Sequence, residues 1–121
     1  MVEWLVEFHD DFWIEFNLES VEVQNEVYAL ATLLTVQGPQ LKRPHCDTLN
    51  GSQFSNMKEL RFSLPDGEWR VAFAFDPRRH AILLVGGSKS GTSSKRFYRD
   101  LIRIADQRFS SHLNSLKEGR Q

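Results

Sequence analysis

The spacing of hydrophobic residues changes several times along the chain, and each change predicts a new element. Residues 4–8 alternate with a period of two, which is typical of a short β-strand. Apolar residues then recur at steps of three and four, which predicts a brief helix over Asp11–Phe16 and a longer helix ended by the Gly-Pro pair at 38–39. Asn17 or Ser20 is expected to cap the longer helix. Three side chains of the brief helix are expected to face inward: Phe12, Trp13 and Phe16.

Three strands are predicted in the second half of the chain. Residues 57–64 alternate weakly and residues 69–75 alternate strongly, and the Pro-Asp-Gly sequence at 65–67 is expected to join them as a hairpin turn. After a second turn, residues 81–85 form a nearly continuous apolar run, which is typical of a strand buried on both faces. We therefore expect an antiparallel meander of three strands.

The remaining segments complete the predicted fold. Residues 39–57 are rich in turn-forming residues and are predicted to form a long loop that holds the single cysteine, Cys46, as a reduced thiol. A last helix is expected from about Ser94, where apolar residues again recur at helical spacing. The predicted class is α+β, in the order N-terminal strand, helix hairpin, three-stranded antiparallel meander and C-terminal helix. The length of 121 residues favours one domain over 1–121.

Charged residues are sorted by their position along the chain. Residues 1–41 contain eight carboxylates and no Lys or Arg, whereas all fifteen basic residues lie between Lys42 and Arg120. A formal net charge of −1 therefore combines −8 in the first 41 residues with +7 in the remaining 80. This asymmetry favours a polyanion or an acidic partner on one face, and solvated helix faces explain it about equally well.

The composition indicates neither a membrane protein nor a metalloprotein. No apolar run reaches the roughly 18–20 residues that a membrane span needs, and the N-terminus has no basic segment ahead of an apolar core. A single cysteine forms no internal disulfide and makes a poor metal site. We therefore expect a cytoplasmic protein without a metal or a cofactor.

Basic residues are concentrated on the elements of the predicted meander. If the two hairpin strands pair across their turn, Arg61 and Arg70 share one face of the sheet. Lys89, after the next strand, is expected at the rim of that face, with Tyr98 just beyond it. Such a concave sheet fits RNA, because guanidinium groups bind phosphates in a bidentate way and a tyrosine stacks on a base. Further residues expected to contact RNA are Arg78, Arg79, Lys95 and Arg96.

Five segments share their joint order and spacing with one protein family. They are Arg43-Pro44 with Asp47–Ser52, Asn56–Arg61, Trp69–Pro77, Ala81–Gly87 with Lys89, and Lys95–Tyr98 leading into Ile102–Ala105. In these segments the chain resembles the RelE/HigB family of bacterial type II toxins. The resemblance implies a microbial-RNase-type fold, cleavage of messenger RNA in the ribosomal A site with inhibition of translation and growth, and neutralisation by a cognate antitoxin. Such an antitoxin is often a helix-turn-helix DNA-binding protein.

The resemblance also implies roles for five residues. Lys58 and Arg61 match the basic residues of the family's Lys-x-Leu-Arg-like strand. Arg70 matches the arginine that follows an aromatic residue on the next strand. Lys89 matches the basic residue shortly after the strand-ending glycine, and Tyr98 matches the aromatic residue near the start of the last helix.

The expected reaction follows from these residue types. No pair of histidines, and no histidine with a glutamate, lies at ribonuclease-like spacing. A lysine, with a reference pKa of about 10.4, is a poor general base unless neighbouring cations lower its pKa. We expect the ribose 2′-OH to attack the adjacent phosphodiester, with Lys58 or Lys89 as the base, Lys95 as the alternative to Lys89, and the two arginines stabilising the phosphorane. Tyr98 is expected to orient the base or the leaving group, and strand alternation to turn Glu59 to the other face.

The acidic helices are expected to bind the antitoxin. Residues 10–37 form an acidic helical pair that fits a basic surface, with Glu19, Glu22 and Glu26 as contact residues. Two functions stay open: an endoribonuclease toxin that acts on ribosome-bound messenger RNA, and a non-catalytic RNA- or ribosome-binding relative with the same fold.

Overall fold

The computed structural model describes residues 3–119, so the predicted domain over 1–121 has its first two and last two residues outside the described part. The elements in chain order are β1 (Leu5–Phe8), α1 (Asp10–Phe16), α2 (Val21–Gln37), β2 (Cys46–Thr48), β3 (Lys58–Leu64), β4 (Gly67–Phe75), β5 (His80–Ser88) and α3 (Ser94–Lys117). A short 3-10 turn, Gly38–Gln40, follows α2. The predicted α+β class is confirmed.

The strands of the described chain form one mixed sheet with the order β1-β5-β4-β3-β2. β3, β4 and β5 are antiparallel neighbours, which confirms the predicted meander, and β2 extends it beside β3. β1 lies at the other edge and runs parallel to β5. Parallel pairing is possible here because the long intervening chain supplies the crossover.

The predicted loop over residues 39–57 contains a strand that the pattern does not show. β2 has only three residues, which is too short for an alternation to be recognised, and β3 determines its position by pairing Cys46 with Leu60. The thiol of Cys46 is therefore buried in the core of the sheet. The expectation of a thiol in a loop is wrong.

Burial makes the thiol of Cys46 a testable feature. Burial raises its pKa to about 11, against the opposing charge of Lys58, so the reactive thiolate is scarce near pH 8. We expect Ellman's reagent to label the folded protein about a hundredfold more slowly than protein unfolded in urea. Equal labelling rates in the two states would contradict the burial of this residue.

Each face of the sheet has its own hydrophobic core. α1 and α2 cover one face, where they pack on side chains that include Leu60 and Phe73. α3 covers the other face with a row that includes Ala105 and Phe109. Each large apolar side chain buried in this way contributes about 1.5–3 kcal/mol to stability. We call these two surfaces the α1–α2 face and the α3 face.

The helices begin where side-chain caps satisfy their first amide groups. The Ser20 hydroxyl accepts a hydrogen bond from the amide of Val23 at 3.2 Å, so Ser20 is the cap of α2. The Ser93 hydroxyl accepts one from the amide of Arg96 at 3.2 Å and begins α3. None of the helices within residues 3–119 combines the length and apolar character that crossing a bilayer requires.

Trp13 departs from its predicted position in the core. It is 44% exposed, whereas Phe12 and Phe16 are buried. α1 has only seven residues, and the inward positions of its two turns, four residues apart, are taken by the two phenylalanines. The Trp13 ring instead stacks on Phe16 and meets the ring of Phe8 edge-on, with centroids 6.0 and 5.0 Å away. It therefore forms part of an aromatic surface beside β1.

Candidate functional site

Strand pairing brings two of the predicted site residues together. Arg61 of β3 and Arg70 of β4 are direct cross-strand partners, so their side chains lie on the same face. That face is the α3 face, because Ala72, two residues after Arg70, belongs to the core beneath α3. The prediction that the two arginines share a face is confirmed.

Arg70 is a buried arginine, only 3% exposed, whose guanidinium is fixed on several sides. Its Nε donates to the hydroxyl oxygen of Tyr98 at 3.1 Å, and its Nη1 donates to the carbonyl of Trp69 at 2.8 Å. The same Nη1 lies 3.5 Å from a carboxylate oxygen of Glu68. Because the Tyr98 oxygen accepts from Arg70, the tyrosine's own O–H is free to donate to a ligand.

Glu59 lies on the face of the two arginines, contrary to the expectation that it turns to the other face. Strand alternation does separate it from Lys58, but it also places Glu59 on the face of Arg61, two residues further on. Its Oε2 accepts from Arg61 Nη1 at 2.6 Å, and its Oε1 lies 3.9 Å from Arg70 Nε. The carboxylate is only 3% exposed, and within residues 3–119 its Oε1 has no hydrogen-bond partner. Glu59 therefore connects the two guanidinium groups.

Lys89 and Tyr98 complete the group at its rim. The Lys89 amide donates to the carbonyl of Glu68 at 2.8 Å, which fixes the chain just beyond β5. The Lys89 ammonium lies 5.3 Å from the centre of the Tyr98 ring, within the range of a cation–π contact. We call Arg61, Arg70, Lys89 and Tyr98 the Arg70 cluster. Four of the five residues predicted to be catalytic thus lie together.

The fifth predicted residue, Lys58, lies elsewhere. Its cross-strand partner on β4 is Phe73, which belongs to the core of the α1–α2 face. The side chain of Lys58 therefore leaves the strand on the face opposite Arg61 and Arg70. The predicted grouping of Lys58 with the arginines is wrong. The physical reason is the two-residue period of a strand, which separates Lys58 from Arg61 three positions later.

Arg78 and Arg79, which were predicted to bind RNA, lie at the other end of the sheet and have partners of their own. The Arg78 Nη2 is 2.7 Å from a carboxylate oxygen of Asp76, and the Arg79 guanidinium lies over the ring of Trp4 at 4.1 Å. β4 begins near Arg70 and ends before this turn, so the two arginines are remote from the Arg70 cluster. The structure does not bring them to the candidate site.

Lys95 and Arg96 lie close to the candidate site. Both residues are exposed in the first turn of α3, shortly before Tyr98. They line an open depression together with Arg99 and the preceding glycine- and serine-rich loop. Their position at the edge of the Arg70 cluster is compatible with contact to a longer polyanion.

A second polar network, which the sequence reasoning missed, surrounds Asp76. The side chain of Asp76 is inaccessible to solvent. It accepts hydrogen bonds from the Arg78 guanidinium at 2.7 and 3.0 Å and from the His112 ring at 2.8 Å. It also accepts hydrogen bonds from the backbone amides of Arg78 and His80. Burial by itself would raise the pKa of Asp76, but the hydrogen bonds from His112 and Arg78 outweigh it, so the pKa is lowered. His80 also contacts Glu7. This network joins the β4–β5 turn to α3.

Metal-ligating side chains do not converge at either place. In the described part of the chain, no group of three or more His, Cys, Asp and Glu residues has an arrangement that suits a metal ion. The Arg70 cluster offers three cations and one phenol, and the adjacent Glu59 carboxylate lies against two of the cations. Such a set can bind a phosphate and donate hydrogen bonds to it.

Comparison with known proteins gives relatives of one kind. A family model described as Phage derived protein Gp49-like matches residues 14–110. The chain is 54% identical over 84 residues to the Mycobacterium tuberculosis protein named "Putative toxin HigB3", covering 69% of this chain and 70% of that protein. It is 41% identical over 98 residues to "Putative toxin HigB2" of the same organism, covering 80% of this chain and 48% of that protein.

A solved structure shares the fold. The Escherichia coli toxin RelE, as a mutant with two arginines replaced by alanine and in the free state, superposes with a TM-score of 0.58 at 9% identity. The match covers 84% of this chain and 96% of that one. The RelE-like fold expected from the sequence is thereby confirmed, as is the resemblance to the RelE/HigB toxins. The chain therefore belongs to the Gp49-like, HigB/RelE-type family.

Proposed function

We propose that the chain is the toxin of a toxin–antitoxin system and cleaves messenger RNA on the ribosome in the cytoplasm, which stops translation and growth. The observation that carries the proposal is the hydrogen bond from Arg70 to Tyr98, inside a cluster that also holds Arg61 and Lys89. The names of the relatives support the toxin role. The neutralising partner would be an antitoxin, of the helix-turn-helix DNA-binding kind.

The cations of the Arg70 cluster provide phosphate binding. The side chain of Arg61 is 18% exposed and Lys89 lies at the rim, so these two groups meet an incoming phosphate first. Arg70 lies behind them, where its fixed guanidinium stabilises the additional negative charge of the phosphorane. Glu59 holds both guanidinium groups in place before the substrate arrives, which lowers the cost of ordering them.

Lys89 and Tyr98 supply the proton transfers. The 2′-oxygen attacks phosphorus while its proton passes to Lys89 in its neutral amine form, which becomes the ammonium, and the bond from phosphorus to the 5′-oxygen breaks. The Tyr98 hydroxyl, whose own proton is not used by Arg70, donates to the departing 5′-oxygen. The products are a 2′,3′-cyclic phosphate and a free 5′-hydroxyl. Neither group is a strong acid or base, so the reaction depends on the ribosome to align the RNA.

One observation favours the second candidate function, a binding-only relative. Two carboxylates, Glu59 and Glu68, lie within 3.9 Å of the Arg70 guanidinium and offset part of the charge of the cluster. Arg70 is also almost fully buried. A protein that only binds ribosomal RNA needs the exposed cations at the rim, and it can function with Arg70 buried and partly neutralised.

A translation reaction with purified ribosomes separates these functions. The full chain is added to a defined messenger RNA that is being translated, and primer extension maps new 5′ ends. Cuts that appear only with ribosomes would support the proposed nuclease. A block of translation without cuts would establish the binding-only relative, and uninhibited translation would overturn both.

The two predicted lysine bases are distinguished by substitution. We expect Lys89→Ala to lower the rate of cleavage by about a hundredfold, because the group that accepts the 2′-OH proton is lost. Lys58→Ala is the matched control and is expected to cleave within about twofold of the wild type, since Lys58 starts from the opposite face. The rate is measured in single turnover on ribosome-bound transcript. An equal loss in both variants would contradict the assignment of Lys89.

A further inference from the structure

The helical layer opposite the Arg70 cluster exposes unusually many apolar side chains. Among residues 3–119, six of the seven large hydrophobic side chains that are exposed lie on α1, on α2 or in the corner between them. Leu18, Val21 and Ile14 are 84, 65 and 63% exposed. We call this surface the α1–α2 patch. Its residues are Trp13, Ile14, Leu18, Val21, Tyr28 and Val36.

The α1–α2 patch has an ordered aromatic base. The Tyr28 ring meets the ring of Phe16 edge-on at 5.2 Å, and Trp13 stacks on the same phenylalanine at 6.0 Å. Phe8 of β1 contacts both exposed rings, with centroids 6.3 Å from Tyr28 and 5.0 Å from Trp13. The two half-exposed rings are therefore held by the core, and a partner meets a preformed surface.

Among the described residues, most of the carboxylates on this helical layer have no ion-pair partner. Within the described chain, Glu15 has an ion pair, with Arg108 at 2.9 Å, but five other acidic residues of this layer have none. These residues are Asp10, Asp11, Glu19, Glu22 and Glu26. Burial, together with the nearby carboxylates of Asp66 and Glu15, raises the pKa of Glu19. The layer therefore has negative charge that a cationic partner would stabilise.

An ordinary solvated helix surface does not explain this combination. Such a surface carries polar side chains, whereas several large exposed apolar side chains on one helical layer, among charged residues, mark a place where another protein binds. The charge also restricts the partner. A two-fold contact between copies of this chain would bring the same carboxylates against each other, and RNA is itself a polyanion. The partner that fits the α1–α2 patch is therefore a polypeptide with both basic and apolar side chains.

We propose that the α1–α2 patch is the docking surface for a segment of the antitoxin in which Lys or Arg residues lie between apolar side chains. This inference rests on the proposed toxin function, and it adds the surface and the chemistry of the partner. The apolar side chains of the segment would cover Leu18 and Val21, and its cations would meet Glu22 and Glu26. The patch lies on the α1–α2 face, whereas Tyr98 of the Arg70 cluster lies on α3. Glu26 lines one depression together with Arg61, so the bound segment would reach that edge of the cluster.

Two independent double variants of the full chain test the proposal. Leu18→Ser with Val21→Ser removes apolar contact, and Glu22→Lys with Glu26→Lys reverses charge; all four positions are exposed, so the fold should be kept, as circular dichroism would verify. Arg103→Glu, an exposed charge reversal on α3, is the matched control. Affinity for the purified antitoxin encoded next to the toxin gene is measured by biolayer interferometry at about 0.15 M salt.

We expect each double variant to weaken antitoxin binding by about tenfold or more, and the control to stay within about twofold of the wild type. Wild-type affinity in both double variants would overturn the proposal. It would also be overturned if the variants changed only the self-association of the chain in light scattering, since a second copy would then occupy the patch. The binding assay contains no RNA, so a chain that binds through the patch without cleaving would contradict the proposed nuclease alone.

Discussion

Replacing Arg70 by alanine is expected to lower messenger RNA cleavage by about 10²–10³-fold, the effect of losing one preorganised donor to the transition state. Arg70 donates to the Tyr98 oxygen at 3.1 Å and is fixed by three further groups around it. Its loss removes the fixed cation behind the phosphorane and also releases Tyr98. Primer extension on translated transcript, at matched protein concentration, measures the effect.

The alanine variant also leaves the buried carboxylate of Glu59 with one cation fewer, so its stability needs a separate control. Arg70→Lys keeps the positive charge beside Glu59 and loses the planar fork that binds phosphate and tyrosine together. We expect the lysine variant to unfold closer to the wild type in urea and to cleave almost as poorly as the alanine variant. Cleavage by Arg70→Lys at the wild-type rate would show that charge alone is sufficient, and would refute the role of the directed guanidinium.

Asp76→Asn is expected to lower the free energy of unfolding by about 2 kcal/mol, because a buried carboxylate that accepts charge-assisted hydrogen bonds is replaced by a neutral amide. The amide cannot accept all the hydrogen bonds that Arg78 and His112 donate to the carboxylate. Asp100→Asn is the matched control, because that carboxylate is half exposed and lies 3.8 Å from Arg99. We expect the control to change stability by less than about 0.5 kcal/mol. Urea unfolding at pH 7 measures both.

The same aspartate gives the stability a defined dependence on pH. The pKa of Asp76 is lower in the folded protein than in the unfolded chain, where it is about 3.9. Its contribution is therefore complete above that unfolded value and is lost as the pH falls through the lower folded value. We expect the difference between wild type and Asp76→Asn to be constant from pH 7 to about pH 5 and to shrink below about pH 4. A difference that persists unchanged in strong acid would contradict the lowered pKa.

The alternation of apolar residues was sufficient to predict the meander and the shared face of Arg61 and Arg70. Their direct pairing follows from the observed turn, which leaves only two residues between the paired Leu64 and Gly67. The two-residue period of a strand also places Lys58 on the other face and Glu59 beside Arg61, and those two consequences were overlooked. β2 was not predictable, since three residues carry no periodicity and only pairing with β3 defines the strand.

Contacts between distant parts of the chain set the limit of the sequence reasoning. His112 bonds Asp76 from 36 residues away, and Arg78 lies 71 residues from Glu7 in the sequence. The spacing of residues within one segment of the sequence does not predict contacts between residues so far apart. The acidic character of the helical layer was visible in the composition, but the exposure of Trp13 and Tyr28 was not, because an aromatic residue at helical spacing is usually buried. Packing alone decides which of them remains on the surface.

The parallel pairing of β1 with β5 affects how the protein folds during its synthesis. In the described chain, the strand neighbour of Leu5–Phe8 is His80–Ser88, which is synthesised more than 70 residues later. A non-local contact of this kind must wait for the closing of a long loop, which slows folding. Because α1 and α2 precede β5 in the chain, their sequences are synthesised before the sheet is complete. An antitoxin that binds these helices would reach them before the Arg70 cluster assembles.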